Sequence, residues 1–150
     1  MEYSITPMTR EDVPEVTVMN NLCFTCPWSE QSLMAETTKN DAVFLVARSG
    51  AGVICGYAGL NYVLDEGYIA NIAVHPEYRR QGIARLLLEA LIAQSRRLAL
   101  SFITLEVRVS NTPAQKLYEA MGFEVAGRRK NFYEAIREDA IIMTKYLTKE

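Results

Sequence analysis

The chain carries one histidine, one tryptophan and three cysteines in 150 residues, and each scarcity closes a route. A zinc centre needs a set of cysteine and histidine ligands. Beside Cys23-x-x-Cys26 only Cys55 and His75 remain, so no metal is expected. Three cysteines make no disulfide framework. A redox C-x-x-C follows a strand and opens a helix, whereas this pair ends a helical pattern and reads as plain buried or half-buried thiols. No apolar run approaches a membrane span. The opening MEYSITPMTREDV lacks the charged-then-apolar layout of a signal peptide, so a cytoplasmic protein without a membrane partner is expected. A basic excess is missing too. The net charge of −2 argues against direct nucleic-acid binding but leaves room for a local basic pocket. Neither the P-loop spacing nor the Rossmann G-x-G-x-x-G occurs. No repeat, low-complexity tract or linker interrupts the chain, so one domain over residues 1–150 is expected.

What is present is an ordinary globular composition, 49% hydrophobic and 23% charged, long enough for a real core. YSITPM (3–8) alternates like a short strand. Thr9 is a plausible N-cap for the next helix, with Glu11 and Asp12 favoured by the dipole in its first turn. Pro14 demands that this helix start late. Ser29 is a second N-cap, with Trp28 before it in a staple position. Residues 42–74 are strand-like, with a turn at Ser49-Gly50-Ala51-Gly52 and another near Asp65-Glu66-Gly67, which predicts three consecutive antiparallel strands. From Gly82 to Leu98 apolar residues recur at Ile83, Leu86, Leu87, Ala90, Leu91 and Ala93, the period of a helix with one buried stripe. SFITLEVR reads as a buried strand. NTPAQKLYEAMGF reads as a helix capped by Asn111 or Thr112, with Pro113 early and Gly122 as its stop. EVAGRRKNFY and EDAIIMTKYL complete the chain as two strands. The order predicts a mixed α/β fold around a mostly antiparallel sheet.

The junction HPEYRRQGIARLLLEAL (75–91) holds the chemistry. A strand that turns into a helix leaves the first helical N–H groups without partners, and with the positive end of the dipole they suit an anion. Gly82 removes the Cβ that would obstruct close approach, and Ala84 keeps the next turn nearly as open. Arg79 and Arg80 add charge that suits phosphate. On these residues alone, a pyrophosphate cradle and a solvated basic turn are equally good readings.

With NIAVHPEYRRQG before it and NTPAQKLYEAMGF after it, this junction resembles the acetyl-CoA loop of the GNAT (Gcn5-related) N-acetyltransferases, Q/R-x-x-G-x-G/A, with Arg79 in the first place. PWSE (27–30), NIAV (71–74), LEVR (105–108), LYEAMGF (117–123) and REDAIIM (137–143) narrow the resemblance to the RimI-type ribosomal-protein-alanine N-acetyltransferases. The resemblance implies a GNAT fold: about seven strands, about four helices, and a sheet split at the acetyl-CoA site. It implies acetyl-CoA as donor and a protein N-terminus, that of ribosomal protein S18, as acceptor, with the enzyme a monomer or weak dimer. It gives Ile72, Ala73 and Val74 the pantetheine arm, through their backbone groups. It sets the pyrophosphate over Arg80, Gln81, Gly82, Ile83, Ala84 and Arg85, and adds Arg79 and Asn111 to the cofactor contacts.

Acetyl transfer also needs the ammonium deprotonated and the departing thiolate protonated or stabilised. By pattern, Glu106 faces solvent by alternation or pairs with Arg108 on the same face; the resemblance makes it the general base, acting through water. By pattern, Tyr118 is an amphipathic core tyrosine; the resemblance makes it the general acid. Trp28, Asn71 and Tyr133 are placed on the acceptor side. With them go the carboxylates Asp65, Glu66, Glu134, Glu138 and Asp139, which would steer a basic N-terminus or simply line solvated loops. Two other functions fit less closely: an acetyltransferase for a small amine, and a CoA-binding regulatory module without catalysis. Having both Glu106 and Tyr118 argues against the second.

Overall fold

The computed structural model describes residues 2–24, 27–133 and 138–147, with the side chains of 131–133 excepted. Strand β1 (Tyr3–Pro7) leads through a 3-10 turn at Arg10–Asp12 into α1 (Val13–Cys23). Pro14 falls at the start of α1, so this helix does begin late. Thr9 and Asp12 lock the turn: the Thr9 N–H and hydroxyl both donate to Asp12 Oδ2, at 2.9 and 3.1 Å. Arg48 donates to Oδ1 at 2.6 Å. Ser29 caps α2 (Glu30–Glu36) by accepting the Ser32 N–H at 3.0 Å.

Strands β2 (Ala42–Ser49), β3 (Ile54–Val63) and β4 (Glu66–Val74) form the antiparallel meander. Its second turn is Leu64–Asp65, with Leu64 at φ +56°, one residue earlier than expected. Gly67 belongs to β4, and its need is packing. A Cβ there would stand 2.8 Å from Ile103 Cγ2 and 2.9 Å from Leu100 Cδ1. Helix α3 (Ile83–Arg97), β5 (Phe102–Arg108), α4 (Thr112–Ala120), β6 (Glu124–Tyr133) and β7 (Glu138–Tyr146) follow.

The sheet order is β1-β2-β3-β4-β5-β7-β6, and among the described residues β4 with β5 is the one parallel pair. That pair holds only from Glu66–Tyr68 against Phe102–Thr104. Beyond it the strands diverge and the sheet opens into two arms, as the resemblance implies. Just past the last paired residue, β4 carries a bulge: Gly59 faces Asn71 and Leu60 faces Ile69, which leaves Ala70 unopposed. A bulge bends its strand and resets which side chains face which way. Here Ile69 and Ile72 both join one core, while Ala73 joins the other.

Helices α3 and α4 cover one face of the sheet, over Leu45, Leu60, Ile103, Leu105 and Met143. Helices α1 and α2 cover the other, where Val13, Val16, Met19 and Leu33 pack on Phe44, Val46 and Tyr57. The buried stripe of α3 runs through Ile83, Leu87, Leu88, Leu91, Ile92 and Ser95. The expected Leu86 and Ala93 are exposed, with Leu88 and Ile92 in their stead. Apolar residues ring this helix more widely than one stripe, and the sheet takes the side continuous with Ile83.

Candidate active site

The loop from β4 to α3 adopts the backbone that an anion cradle requires. His75 Nδ1 accepts the Glu77 N–H at 3.1 Å and starts a short turn over Pro76–Tyr78. Arg80 lies at φ +66° and Gly82 at φ +81°. Gly82 is the N-cap of α3 and has no side chain with which to cap it. The first intrahelical bond runs from the Leu86 N–H to the Gly82 carbonyl, 3.1 Å, so the N–H groups of Ile83, Ala84 and Arg85 have no partner within the helix. A Cβ on Gly82 would meet nothing within 4 Å, so the mouth of the loop is open.

The side chains around the loop hold its shape. The Arg79 guanidinium donates to the Val74 carbonyl at 3.1 Å and to Cys23 Sγ at 3.6 Å, fastening the loop to β4 and α1. The Tyr3 hydroxyl donates to Gln81 Oε1, fastening it to β1. Arg85 pairs with Glu89 at 3.3 Å. Arg80 is exposed.

The free edge of β4 narrows the expectation for its backbone. The His75 N–H donates to the Cys55 carbonyl on β3 at 2.8 Å. In an antiparallel strand successive residues turn their backbone groups to opposite neighbours. Ala73 therefore points at β3, and Ile72 and Val74 point into the gap between the arms. The Val74 carbonyl already accepts from Arg79 and from the Cys23 thiol, the latter at 3.5 Å. Two residues, rather than three, offer this edge.

Glu106 and Tyr118 stand on opposite faces of the sheet. On β5, Ile103, Leu105 and Val107 are buried toward α3 and α4, and Glu106 alternates to the α1–α2 side. Its side chain is only 8% exposed, which overturns the solvent-facing reading. Oε1 accepts the Tyr68 hydroxyl from β4, and Oε2 pairs with Arg129 Nη1 from β6 at 3.2 Å. Sequence reasoning missed both partners; Tyr68 was legible only as an ordinary strand aromatic. Tyr118 is half-buried on α4 against the other core, its ring 5.8 Å from that of Phe123. Asn111 Oδ1 caps α4 by accepting the Ala114 N–H at 3.2 Å. Gln115, also missed, donates to the Arg108 and Val109 carbonyls at 2.9 and 3.0 Å and pins α4 to the end of β5.

On the Glu106 side, Asn71 donates to the Tyr57 hydroxyl at 2.9 Å, and that hydroxyl donates to Asn20 Oδ1 at 2.9 Å. Burial holds the Tyr57 phenol well above its ordinary pKa, so it stays a donor. Trp28 packs on Phe44, ring centroids 5.8 Å apart. Next to Tyr68 and Thr104 lies an open depression of about 380 Å³, walled by Val63, Glu66 and Phe102. Of the acidic residues, Asp65 accepts the Ser101 hydroxyl and Asp139 pairs with Arg128 at 2.8 Å, so both are engaged in holding the fold. Glu66 is exposed. Glu138 Oε1 is buried without a hydrogen-bond partner. The side chain of Tyr133, and Glu134 and Cys26 altogether, lie outside the described residues. Cys23 and Cys55 are free thiols, half-buried and buried. Among the described residues no three His, Cys, Asp or Glu side chains gather as metal ligands, and no helix is long and apolar enough to cross a membrane.

Comparison with known proteins accounts for this arrangement. The model of the acetyltransferase (GNAT) family matches residues 13–123, from α1 through the loop and α4. A [ribosomal protein bS18]-alanine N-acetyltransferase of Escherichia coli is 37% identical over 142 residues, 93% of this chain and 95% of that protein. Its counterpart in Haemophilus ducreyi is 40% identical over 125 residues, 81% of this chain and 84% of that one. The crystal structure of the ribosomal-protein-S18-alanine N-acetyltransferase from Escherichia coli superposes with a TM-score of 0.91 at 34% identity, covering 99% of this chain and 96% of the other. With a split sheet, a glycine-capped loop at its mouth and a family match across both, the chain belongs to the GNAT family of acetyltransferases.

Proposed function

We propose that this protein transfers the acetyl group of acetyl-CoA to the N-terminal alanine amine of ribosomal protein bS18. Relatives that carry that name match it along nearly their whole length. The observation that carries the mechanism is the placement of Glu106 and Tyr118 on opposite faces of the sheet, with Glu106 on β5 just past the last residue paired to β4.

The residues present fit an acyl-CoA. Left-handed Arg80 and Gly82 aim unpartnered N–H groups at an open mouth, which suits a diphosphate. The edge of β4 at Ile72 and Val74 suits the amides of an extended arm, as an added strand. Acetyl-CoA supplies the activated acetyl thioester. Glu106, on the α1–α2 side, takes the proton of the incoming ammonium, directly or through a water. Tyr118, on the α3–α4 side, donates a hydrogen bond or its proton to the departing sulfur. A phenol and an alkyl thiol have reference pKa values of roughly 10 and 8.5, so full transfer is mildly uphill and hydrogen bonding carries part of the role. Asn71, oriented by Tyr57, and Trp28 line the acceptor side. A cytoplasmic location goes with this acceptor.

The test is acetyl-CoA turnover across N-terminal hexapeptides and small amines. Alanine-starting peptides should turn over fastest. Strong activity on a small amine with none on such peptides would refute the acceptor assignment.

A further inference from the structure

In the resting fold each oxygen of Glu106 already carries one donor, Oε1 the Tyr68 hydroxyl and Oε2 the Arg129 guanidinium, so an ammonium arriving there competes with a cation in place. The donor held less firmly by the fold is the one it displaces. Tyr68 projects from β4 at the point where the two arms are still paired, so its hydroxyl is held by the sheet. Arg129 reaches Glu106 from the far side of β7 on a long side chain that is 54% exposed. The register supplies its second resting place. Arg129 lies opposite Ala140, whose neighbours on the same face of β7 are Ile142, opposite Glu106, and Glu138, which pairs with Tyr133 beyond a register shift in β6. Diagonal neighbours across a strand pair are within reach of long side chains. Glu138 Oε1 is buried there without a donor, and a buried carboxylate oxygen in that state is costly.

We propose that Arg129 holds the place of the acceptor amine on Glu106 and passes to Glu138 when that amine arrives. This rests on Glu106 being the base. The exchange swaps one cation for another on a carboxylate that is almost wholly buried, so Glu106 is never left without a counter-ion. A neutral nucleophile offers no such exchange. Arg129 and Glu138 are thus positioning residues that select an acceptor charged at its amine.

The test is calorimetric titration of an alanine-starting hexapeptide into the protein saturated with CoA, where no reaction can follow. Arg129→Gln should bind the peptide about fivefold more tightly, the worth of one partly exposed ion pair removed as a competitor. Arg129→Lys should return toward the wild-type affinity. Glu138→Gln should weaken binding when Arg129 is present and have no effect in the Arg129→Gln background. The same peptide blocked by an Nα-acetyl group should bind all five proteins alike. Equal or weaker peptide binding by Arg129→Gln would overturn the displacement. An equal Glu138→Gln effect in both backgrounds would overturn the handover. If instead Glu106→Gln retains full transfer activity, the base assignment fails, a result read separately from any of these affinities.

Discussion

The proposed mechanism divides the chemistry between Glu106 and Tyr118, and each can be altered by a single atom or group. Glu106→Gln keeps shape and hydrogen-bonding reach while removing proton affinity. Turnover should fall by roughly 10²–10⁴-fold, the usual worth of general base catalysis, with little change in acetyl-CoA affinity. The deficit should shrink as pH rises past about 8, where an α-amine is already neutral. An unchanged rate at neutral pH would leave Glu106 only its role in tying β4, β5 and β6 together. Tyr118→Phe keeps the ring on Phe123 and deletes one hydroxyl. Should the hydroxyl serve the leaving sulfur, kcat falls while donor binding stays near normal, because that interaction belongs to the transition state. A donor with a more acidic thiol should then lose less rate, and equal losses with both donors would contradict the role. The pattern of FITLEVR placed Glu106 on the face opposite its apolar neighbours. It could not show the burial of that face, because Tyr68 and Arg129 come from strands 38 and 23 residues away in the chain.

At the scale of elements, the loop before α3 was the most legible part of the molecule. A glycine at a strand-to-helix junction, followed by a long amphipathic run, fixes the helix start and the unpartnered N–H groups together. Gly82→Val places a β-branched side chain at φ +81° and projects it into the open mouth. The protein should lose some stability from the strained backbone, and its rise in Tm with CoA should vanish, since stabilisation by a ligand requires binding to the native state. A normal CoA-induced rise would put the cradle elsewhere. The start of α1 gives a second element-scale expectation. Burial pushes the Asp12 carboxyl up, but hydrogen bonds from Thr9 and the Arg48 guanidinium outweigh it and hold its pKa below the usual carboxylate value. The depressed value means that Asp12 contributes stability above pH ~4, lost as pH falls through its folded pKa. Asp12→Asn should cost about 1–3 kcal/mol at neutral pH, and the gap between variant and parent in urea melts should narrow as pH falls below the ordinary carboxylate range. A gap independent of pH would contradict the ionised clasp. The capping signals at Thr9 and Ser29 were local and hence readable. The bulge at Ala70 was not, because it is set by pairing with β3 rather than by any residue of its own.

At the scale of the whole molecule, the meander, the crossover helix and the final hairpin were legible from hydrophobic period and turn residues, but the insertion of β7 between β5 and β6 was not. Strand order depends on long-range pairing that periodicity does not encode. The split follows from that order and from the short β4–β5 pairing, and in the proposed mechanism it lets one face meet the acceptor while the other meets the donor. The central claim is that this architecture delivers one acetyl group to an N-terminal alanine. The most direct measurement is tandem mass spectrometry of intact bS18 bearing a free N-terminal alanine, after incubation with acetyl-CoA and this protein. The account predicts a single acetyl group on the alanine Nα, absent with Glu106→Gln. Acetyl groups on lysine side chains instead, or none on bS18 while a small amine is acetylated in the same mixture, would contradict it.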